Sequence, residues 1–118
     1  MQEIMGMAER LGQSLARTEE YQALRRAIEA SGDDRELAEL QSQIMELEKA
    51  MQGRLQKGEE PTEEQGTEYE SFFSKLQTNA SYQRLVSAQA NFDKVVSKVN
   101  ETIHQGIQKG AESRIILT

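Results

Sequence analysis

The feature that most constrains this chain is an uninterrupted helical pattern from Ser81 to Gln108. The stretch contains no proline, and its first glycine is Gly106. Apolar positions recur at alternating steps of three and four residues, the spacing of a heptad repeat. We predict that these positions form the core of a helical bundle: Tyr82, Leu85, Phe92, Val96, Val99 and Ile103. At 1.5 Å per residue the helix is about 40 Å long, so part of this stripe is expected to need a second copy to cover it.

Length and composition predict one domain that associates with itself. The chain has 118 residues and a single proline, Pro61, so we expect one domain over residues 1–118 with no linker. Apolar residues make up 36% and there is no tryptophan, which is a small supply for a monomeric core. We therefore predict a homo-oligomer, and a dimer in particular.

Charge and cysteine content restrict the classes of function. The 20 acidic residues outnumber 14 basic ones, for a net charge of −6, which disfavours direct nucleic-acid binding. The absence of cysteine excludes a disulfide framework, a thiolate metal site and a cysteine nucleophile, and it fits a cytoplasmic protein. No stretch has the roughly 18 apolar residues of a membrane span, and none resembles a signal peptide.

Two shorter helices are predicted near the N-terminus. Apolar residues at helical spacing indicate a first amphipathic helix over residues 2–16. Thr18 is a candidate N-cap for a second helix over residues 19–30, which we expect to end at Ser31 and Gly32. Its inward face would comprise Tyr21, Leu24 and Ile28.

A third helix is predicted from Asp34 to Lys57, ending at Gly58. Its apolar residues form a narrow row, with charged residues around the rest of the circumference. Because few internal partners can be assigned to the row, we predict that it is an oligomer or partner seam. The row consists of Leu37, Leu40, Ile44, Leu47 and Met51.

The turn at Pro61 leads into a fourth helix. Thr62 and Gln65 have the spacing of a capping box, and Asn79 or Ser81 is expected to cap the long fifth helix. The fold class predicted is all-α, with about five helices in a bundle or hairpin arrangement, a long C-terminal helix and an intertwined or packed homodimer. For the tail, Arg114 to Thr118, the sequence supports no prediction.

His104 is the single histidine and supports an alternative hypothesis. Glu101 precedes it by one turn, which is the Glu-x-x-His spacing of di-iron carboxylate bundles. With one histidine, such a site could be completed only across a two-fold dimer. A phosphotransfer histidine is a second possibility, but the lysine and glycine of that motif, Lys109 and Gly110, lie two positions too late.

No catalytic residue can be assigned from the sequence. Six acidic residues lie between Glu59 and Glu70 without an intervening base, and we interpret them as a solvated loop and helix N-terminus. No serine has a histidine or an oxyanion-hole motif to activate it. We therefore predict a non-enzymatic protein with no cofactor, no metal and no small-molecule substrate.

The order of these features resembles the YlbF/YmcA family of small bacterial regulators, and its YheA-like branch in particular. The resemblance covers residues 4–107 and rests on the segments 11–24, 57–64 and 82–92. It implies an all-helical fold, self-association and regulation through protein contacts. It further implies a role linked to ribonuclease Y, and so to RNA processing and developmental control. Family members with iron–sulfur clusters hold them with cysteines, which this chain lacks.

Two functional hypotheses therefore compete. The first is a cytoplasmic regulatory adaptor that works by helix-in-groove contacts with other regulatory proteins, such as a complex associated with ribonuclease Y. The second is a phosphotransfer or inter-chain metal-binding bundle centred on His104. A coiled-coil holdase would share the physical properties of the adaptor.

Overall fold

The structure is a computed structural model that describes the backbone of residues 1–117 and the side chains of residues 1–112. Over that range the chain forms five α-helices and no strand, which confirms the all-α prediction. Side chains of the C-terminal tail lie outside the described residues. The helices are α1 (Gln2–Ala16), α2 (Glu19–Asp33), α3 (Arg35–Gln56), α4 (Glu63–Thr78) and α5 (Ala80–Leu117).

Side-chain caps define the starts of the last four helices. In each, the cap oxygen accepts a hydrogen bond from the backbone N–H three residues later, at 2.9–3.2 Å. At α4 the Gln65 amide oxygen also accepts from the Thr62 N–H, which completes the predicted capping box. The caps are Thr18, Asp34, Thr62 and Asn79.

The predicted end of α2 at Ser31 and Gly32 is wrong. The helix continues to Asp33, and the break comes where Asp34 adopts an extended conformation as the N-cap of α3. The Asp34 N–H donates to the Ser31 carbonyl at 3.3 Å, and the Ser31 hydroxyl donates to the Ile28 carbonyl at 2.9 Å. Glycine destabilises a helix by up to about 1 kcal/mol relative to alanine. Because these hydrogen bonds stabilise the last turn, Gly32 does not end α2.

Gly58 ends α3, as the sequence predicts. Its φ of +78° is one that only glycine adopts without strain. Arg54 closes the following turn, donating from Nε to the Glu60 carbonyl at 2.9 Å and pairing with Glu59 at 3.2 Å.

Two corners of the chain are built alike. Between α1 and α2, the Gln22 side chain donates to the Ala16 carbonyl at 2.9 Å, beside the Thr18 cap. Between α4 and α5, the Gln83 side chain donates to the Gln77 carbonyl at 2.7 Å, beside the Asn79 cap. In both corners a glutamine four residues after the cap reaches a carbonyl in the last turn of the preceding helix, where intrahelical donors are missing.

The described chain divides into two compact units. Unit 1 comprises residues 1–24 together with the residues from 88 onward, and unit 2 comprises residues 25–87. Helices α2 and α5 each contribute residues to both units. The prediction of a single domain over residues 1–118 stays a prediction.

Unit 2 has a closed hydrophobic core. Helices α3 and α4 form an antiparallel pair, the most extensive helix–helix contact in the described chain. Four buried residues make its centre, and three half-buried aromatic residues pack against them. The centre is Leu37, Leu40, Ile44 and Leu76, and the aromatic residues are Tyr69, Phe72 and Tyr82.

Unit 1 contains little buried surface. No residue of α1 is buried. Among the side chains described in this unit, Leu24 and Ala88 are buried, and both lie at its border in the sequence.

Candidate interaction surfaces

The α3 row predicted as a partner seam lies mostly inside unit 2. Leu37, Leu40, Ile44 and Leu47 are buried, and Met51 is half-buried. Three of them share the core cluster with Leu76 of α4, so the premise that the row has few internal partners is wrong for its first four residues. Spacing identified the correct helix face, but the residues that cover it come from α4. That the row joins two copies stays a prediction.

The predicted α5 core follows a gradient of exposure. Tyr82 and Leu85 are half-buried in unit 2, and Phe92, Val96 and Val99 are half-buried in unit 1. Ile103 departs from the prediction because 47% of it is exposed. Among the α5 side chains up to residue 112, the buried one is Ala88, whose small side chain suits a crowded helix contact. The predicted core positions of α5 thus become more exposed towards the C-terminal end of that helix.

The inward face predicted for α2 is confirmed in two of its three residues. Leu24 is buried, and the Tyr21 ring lies 5.2 Å from the Phe92 ring, tilted by 59°, a favourable aromatic geometry. Ile28, by contrast, is 51% exposed, and its neighbour Ala27 is buried in its place. The inward face of α2 therefore follows the prediction at Tyr21 and Leu24 and differs by one residue in the turn that contains Ile28.

An apolar stripe on α1 lies open to solvent. We define the α1 stripe as Ile4, Met7, Ala8, Leu11 and Leu15, which follow the helical repeat. Its first four residues are exposed, and Ile4 is exposed to 55%. An amphipathic helix of 15 residues with no buried residue gains little stability from packing within its own chain.

A second apolar stripe lies on the distal part of α5 and is open to solvent towards its C-terminal end. We define the α5 stripe as Val95, Val99, Ile103, Gly106 and Ile107. Ile107 is 62% exposed. Gly106 has no neighbouring atom within 4 Å of where a Cβ would stand, so the backbone there is also accessible.

The two stripes meet at a groove in unit 1. It measures about 410 Å³, and apolar side chains dominate its lining. Leu11 of α1 forms one side, and Lys98 and Thr102 lie at its polar edge. The complete lining is Leu11, Val95, Lys98, Val99, Thr102 and Ile103.

Unit 2 has a groove of its own between α4 and α5, of about 500 Å³. Its apolar surface comes from Phe73, Tyr82 and Val86, and glutamines line much of the remainder. Phe73 packs on Tyr69 with ring centroids 5.0 Å apart. This groove is more polar in composition than the groove in unit 1.

Asp34 and Tyr69 have shifted pKa values, and both belong to contacts that hold unit 2 together. The Leu37 N–H hydrogen bond, followed by the Ser81 hydroxyl, lowers the pKa of Asp34 below its usual 3.8. Asp34 also accepts a bond from the Asn79 amide at 3.3 Å. Partial burial, and the Glu48 carboxylate that accepts the Tyr69 hydroxyl at 3.1 Å, raise the pKa of Tyr69.

His104 is exposed on α5, and Glu101 one turn before it is exposed as well. In the part of the chain with described side chains, no three histidine, aspartate or glutamate residues come together in a way that could hold a metal ion. None of the described helices combines the length and apolar content needed to cross a membrane.

Comparison with known proteins identifies the family. The family described as control of competence regulator ComK, YlbF/YmcA, matches residues 4–108. The chain belongs to the YlbF/YmcA family. This confirms the resemblance inferred from the sequence, over almost the same residues.

Two relatives of this YlbF/YmcA chain are UPF0342 proteins. The one from Streptococcus mutans is 29% identical over 105 residues, covering 89% of this chain and 93% of the relative. The one from Staphylococcus saprophyticus is 26% identical over 96 residues, covering 81% of this chain and 84% of the relative. Both therefore match along most of their length.

Two solved structures share the fold. Bacillus subtilis RicA, solved in complex with RicF, aligns with a TM-score of 0.82 at 12% identity, over 92% of this chain and 96% of RicA. A DUF964 protein from Bacillus stearothermophilus aligns with a TM-score of 0.63 at 15% identity, over 89% of this chain and 92% of that protein. At these identities the likeness establishes the YlbF/YmcA fold alone.

Sequence reasoning identified α1 as amphipathic but did not select its stripe as a surface. Two signals together could have selected it. Apolar residues such as Ile4 and Leu11 repeat along α1 without any aromatic residue, and Ile107 lies exposed on α5.

Proposed function

We propose that this protein is a non-enzymatic regulatory adaptor that acts by contact with other proteins, itself included, in the cytoplasm. The observation that carries the proposal is membership of a family described as controlling a competence regulator, over residues 4–108. Open apolar stripes on α1 and α5 support it, because adaptors of this kind bind helices through such faces. The complex of RicA with RicF, a protein of the same fold, is a precedent for partner binding.

The process we propose is control of RNA processing linked to ribonuclease Y, with developmental regulation as its outcome. Support comes from the sequence resemblance to the YlbF/YmcA regulators. Deletion of the gene is expected to change the ends of a subset of transcripts without abolishing growth. The change should be absent in a strain that already lacks ribonuclease Y. Transcript-end sequencing of the wild type, the two single deletion strains and the double deletion strain measures it. An unchanged profile after deletion would remove the link to RNA processing and leave the adaptor proposal.

The adaptor is expected not to bind RNA tightly by itself. Acidic residues outnumber basic ones 20 to 14, and no aromatic platform for stacking bases accompanies the lysines and arginines. Fluorescence anisotropy with a labelled single-stranded RNA at low salt should give no saturable binding at micromolar protein. Tight, salt-sensitive binding would contradict the proposal.

The hypothesis centred on His104 makes a different prediction. If His104 accepted a phosphoryl group or completed a metal site between two copies, His104→Ala would abolish function. The adaptor proposal expects His104→Ala to complement the deletion strain as well as the wild-type gene does, since His104 is exposed. His104→Gln is the matched control, because it keeps a polar side chain of similar size.

A further inference from the structure

We propose that Met5 and Met7 of α1 form a reversible oxidation site, at which hydrogen peroxide turns the apolar α1 stripe into a mostly polar surface. The regulatory role of this site rests on the proposed function, in which apolar faces such as the α1 stripe bind partners. The chain has five methionines and no cysteine, so thioethers are the sulfur groups with which a peroxide can react.

Both thioether side chains are open to solvent. Met5 is 57% exposed and Met7 is 51% exposed, on a helix with no buried residue. Oxidation follows exposure, because the peroxide has to reach the sulfur atom. Met51 on α3 is half-buried, and it is therefore a slower site in the same chain.

The positions of the two methionines around α1 give their oxidation an effect. At 3.6 residues per turn, Met5 and Met7 lie about 160° apart, at the two edges of the apolar arc of the helix. Glu3 and Glu9 each lie about 40° outside these edges. The large and small apolar residues of α1 between the two methionines are Ile4, Ala8, Leu11 and Leu15.

The chemical step balances with hydrogen peroxide as the oxidant. The thioether sulfur donates an electron pair to one peroxide oxygen, the O–O bond breaks, and an S–O bond forms. The proton of the transferred oxygen goes to the departing hydroxide, which leaves as water. Sulfur thus loses two electrons and the peroxide gains them. A methionine sulfoxide reductase reverses the step, because its thiols supply two electrons and the sulfoxide oxygen leaves as water.

Oxidation at both edges narrows the apolar arc of α1 below the width of a binding face. A sulfoxide is polar, so the apolar arc that remains runs from Leu11 to Ala8, about 60°. A helix that packs through an apolar face has an arc of about 100° or more. The reduced helix exceeds that width and the doubly oxidised helix does not. Oxidation of Met5 and Met7 therefore releases a partner held on the α1 stripe.

Met45 provides a comparison within the same chain. It is 64% exposed on α3, so its sulfur is as accessible as that of Met5. Its oxidation changes no apolar face, because the residues one turn away on either side are polar. These residues are Gln41, Ser42, Glu48 and Lys49.

The first experiment treats the full chain with hydrogen peroxide and follows the sulfoxide at each methionine by peptide mass spectrometry. Met5, Met7 and Met45 should oxidise at rates within about twofold of one another, and Met51 at least about threefold more slowly. Reductases specific for the two sulfoxide epimers should together return Met5 and Met7 to the thioether. If Met5 and Met7 react as slowly as Met51, the oxidation site is wrong. This measurement involves no partner.

Glutamine substitutions test the consequence of oxidation, since glutamine is polar, similar in length to methionine and equally compatible with a helix. The double variant Met5→Gln/Met7→Gln should fail to complement the deletion strain. Met5→Leu/Met7→Leu, which keeps the arc apolar, and Met45→Gln should complement as the wild-type gene does. Immunoblots should show equal protein levels for all variants. Full complementation by the double glutamine variant would overturn the regulatory role.

Peroxide treatment of cells tests the two methionines directly. With the wild-type gene, sublethal hydrogen peroxide should shift transcript ends towards those of the deletion strain. The shift should be lost in Met5→Leu/Met7→Leu cells and retained in Met45→Leu cells. A shift that persists in the double leucine variant would overturn the role of Met5 and Met7. If deletion itself leaves transcript ends unchanged, the link to RNA processing fails and this regulatory role fails with it, whereas mass spectrometry alone decides the oxidation site.

Discussion

The two units of this protein solve the problem of burying apolar residues in opposite ways. In unit 2, α3 and α4 cover each other, and Leu37 is fully inaccessible to solvent. In unit 1, α1 is just as amphipathic but no residue of it is buried. A helix gains most of its stability from tertiary packing of its apolar face. Unit 2 obtains that packing from its own helices, whereas α1 in unit 1 obtains little of it.

The largest expected effect is on the core of unit 2. Leu37→Ala removes buried methyl groups and leaves a cavity, so it should lower the free energy of unfolding by about 2–5 kcal/mol. Leu11→Ala, its counterpart in unit 1, is expected to cost less than about 1 kcal/mol in dilute protein because Leu11 is partly exposed. Urea denaturation followed by circular dichroism measures both. If the proposed self-association covers the α1 stripe, the Leu11→Ala effect should grow with protein concentration.

The corner between α1 and α2 and the corner between α4 and α5 allow a second comparison, in which we expect smaller and similar effects on stability. Thr18→Ala and Asn79→Ala each remove a cap and should each cost about 1 kcal/mol. Gln22→Ala and Gln83→Ala each remove one exposed side-chain bond and should each cost about 0.5 kcal/mol or less. Thermal melts of the four variants test whether the corners are energetically equivalent. A cost at Thr18 far above that at Asn79 would mean that α1 depends on its corner in a way that α4 does not.

The smallest effect concerns pH and belongs to unit 2. Asp34 has a lowered pKa in the folded protein, so its contribution to stability is present above about pH 4 and is lost as the pH falls through the folded pKa. Asp34→Asn can still cap α3 but does not titrate there. The melting-temperature difference between wild type and Asp34→Asn should be largest near pH 7 and shrink towards pH 2. A melting-temperature difference that does not change with pH would show that the charge of Asp34 does not contribute to the stability of the fold.

The sequence predicted the helices well where caps mark their ends. Thr18, Thr62 and Gly58 each perform the expected local role, because cap and turn geometry depends on a few neighbouring residues. The predicted end of α2 was wrong, because the destabilisation by Gly32 is smaller than the stabilisation from the hydrogen bonds around it.

Predicting what covers each apolar face was less successful. The spacing of Leu37, Leu40 and Ile44 gives the direction they face but contains no information about which helix lies opposite. That information is tertiary, and it changed the role expected of the α3 row. The row on α3 that we interpreted as a partner seam is mostly internal, while Ile4 and Ile107, to which the sequence assigned no site, are open to solvent.

Asn79 stands alone between α4 and α5, and its backbone decides where one helix stops and the next begins. Its φ of −73° is already helical, and its ψ of 124° is the departure from helix geometry. Rotation about that one bond would fuse the two helices into a single rod. The bend therefore depends on one backbone torsion, which the hydrogen bonds of the Tyr82 N–H, the Asp34 carboxylate and the Gln83 amide hold at its extended value.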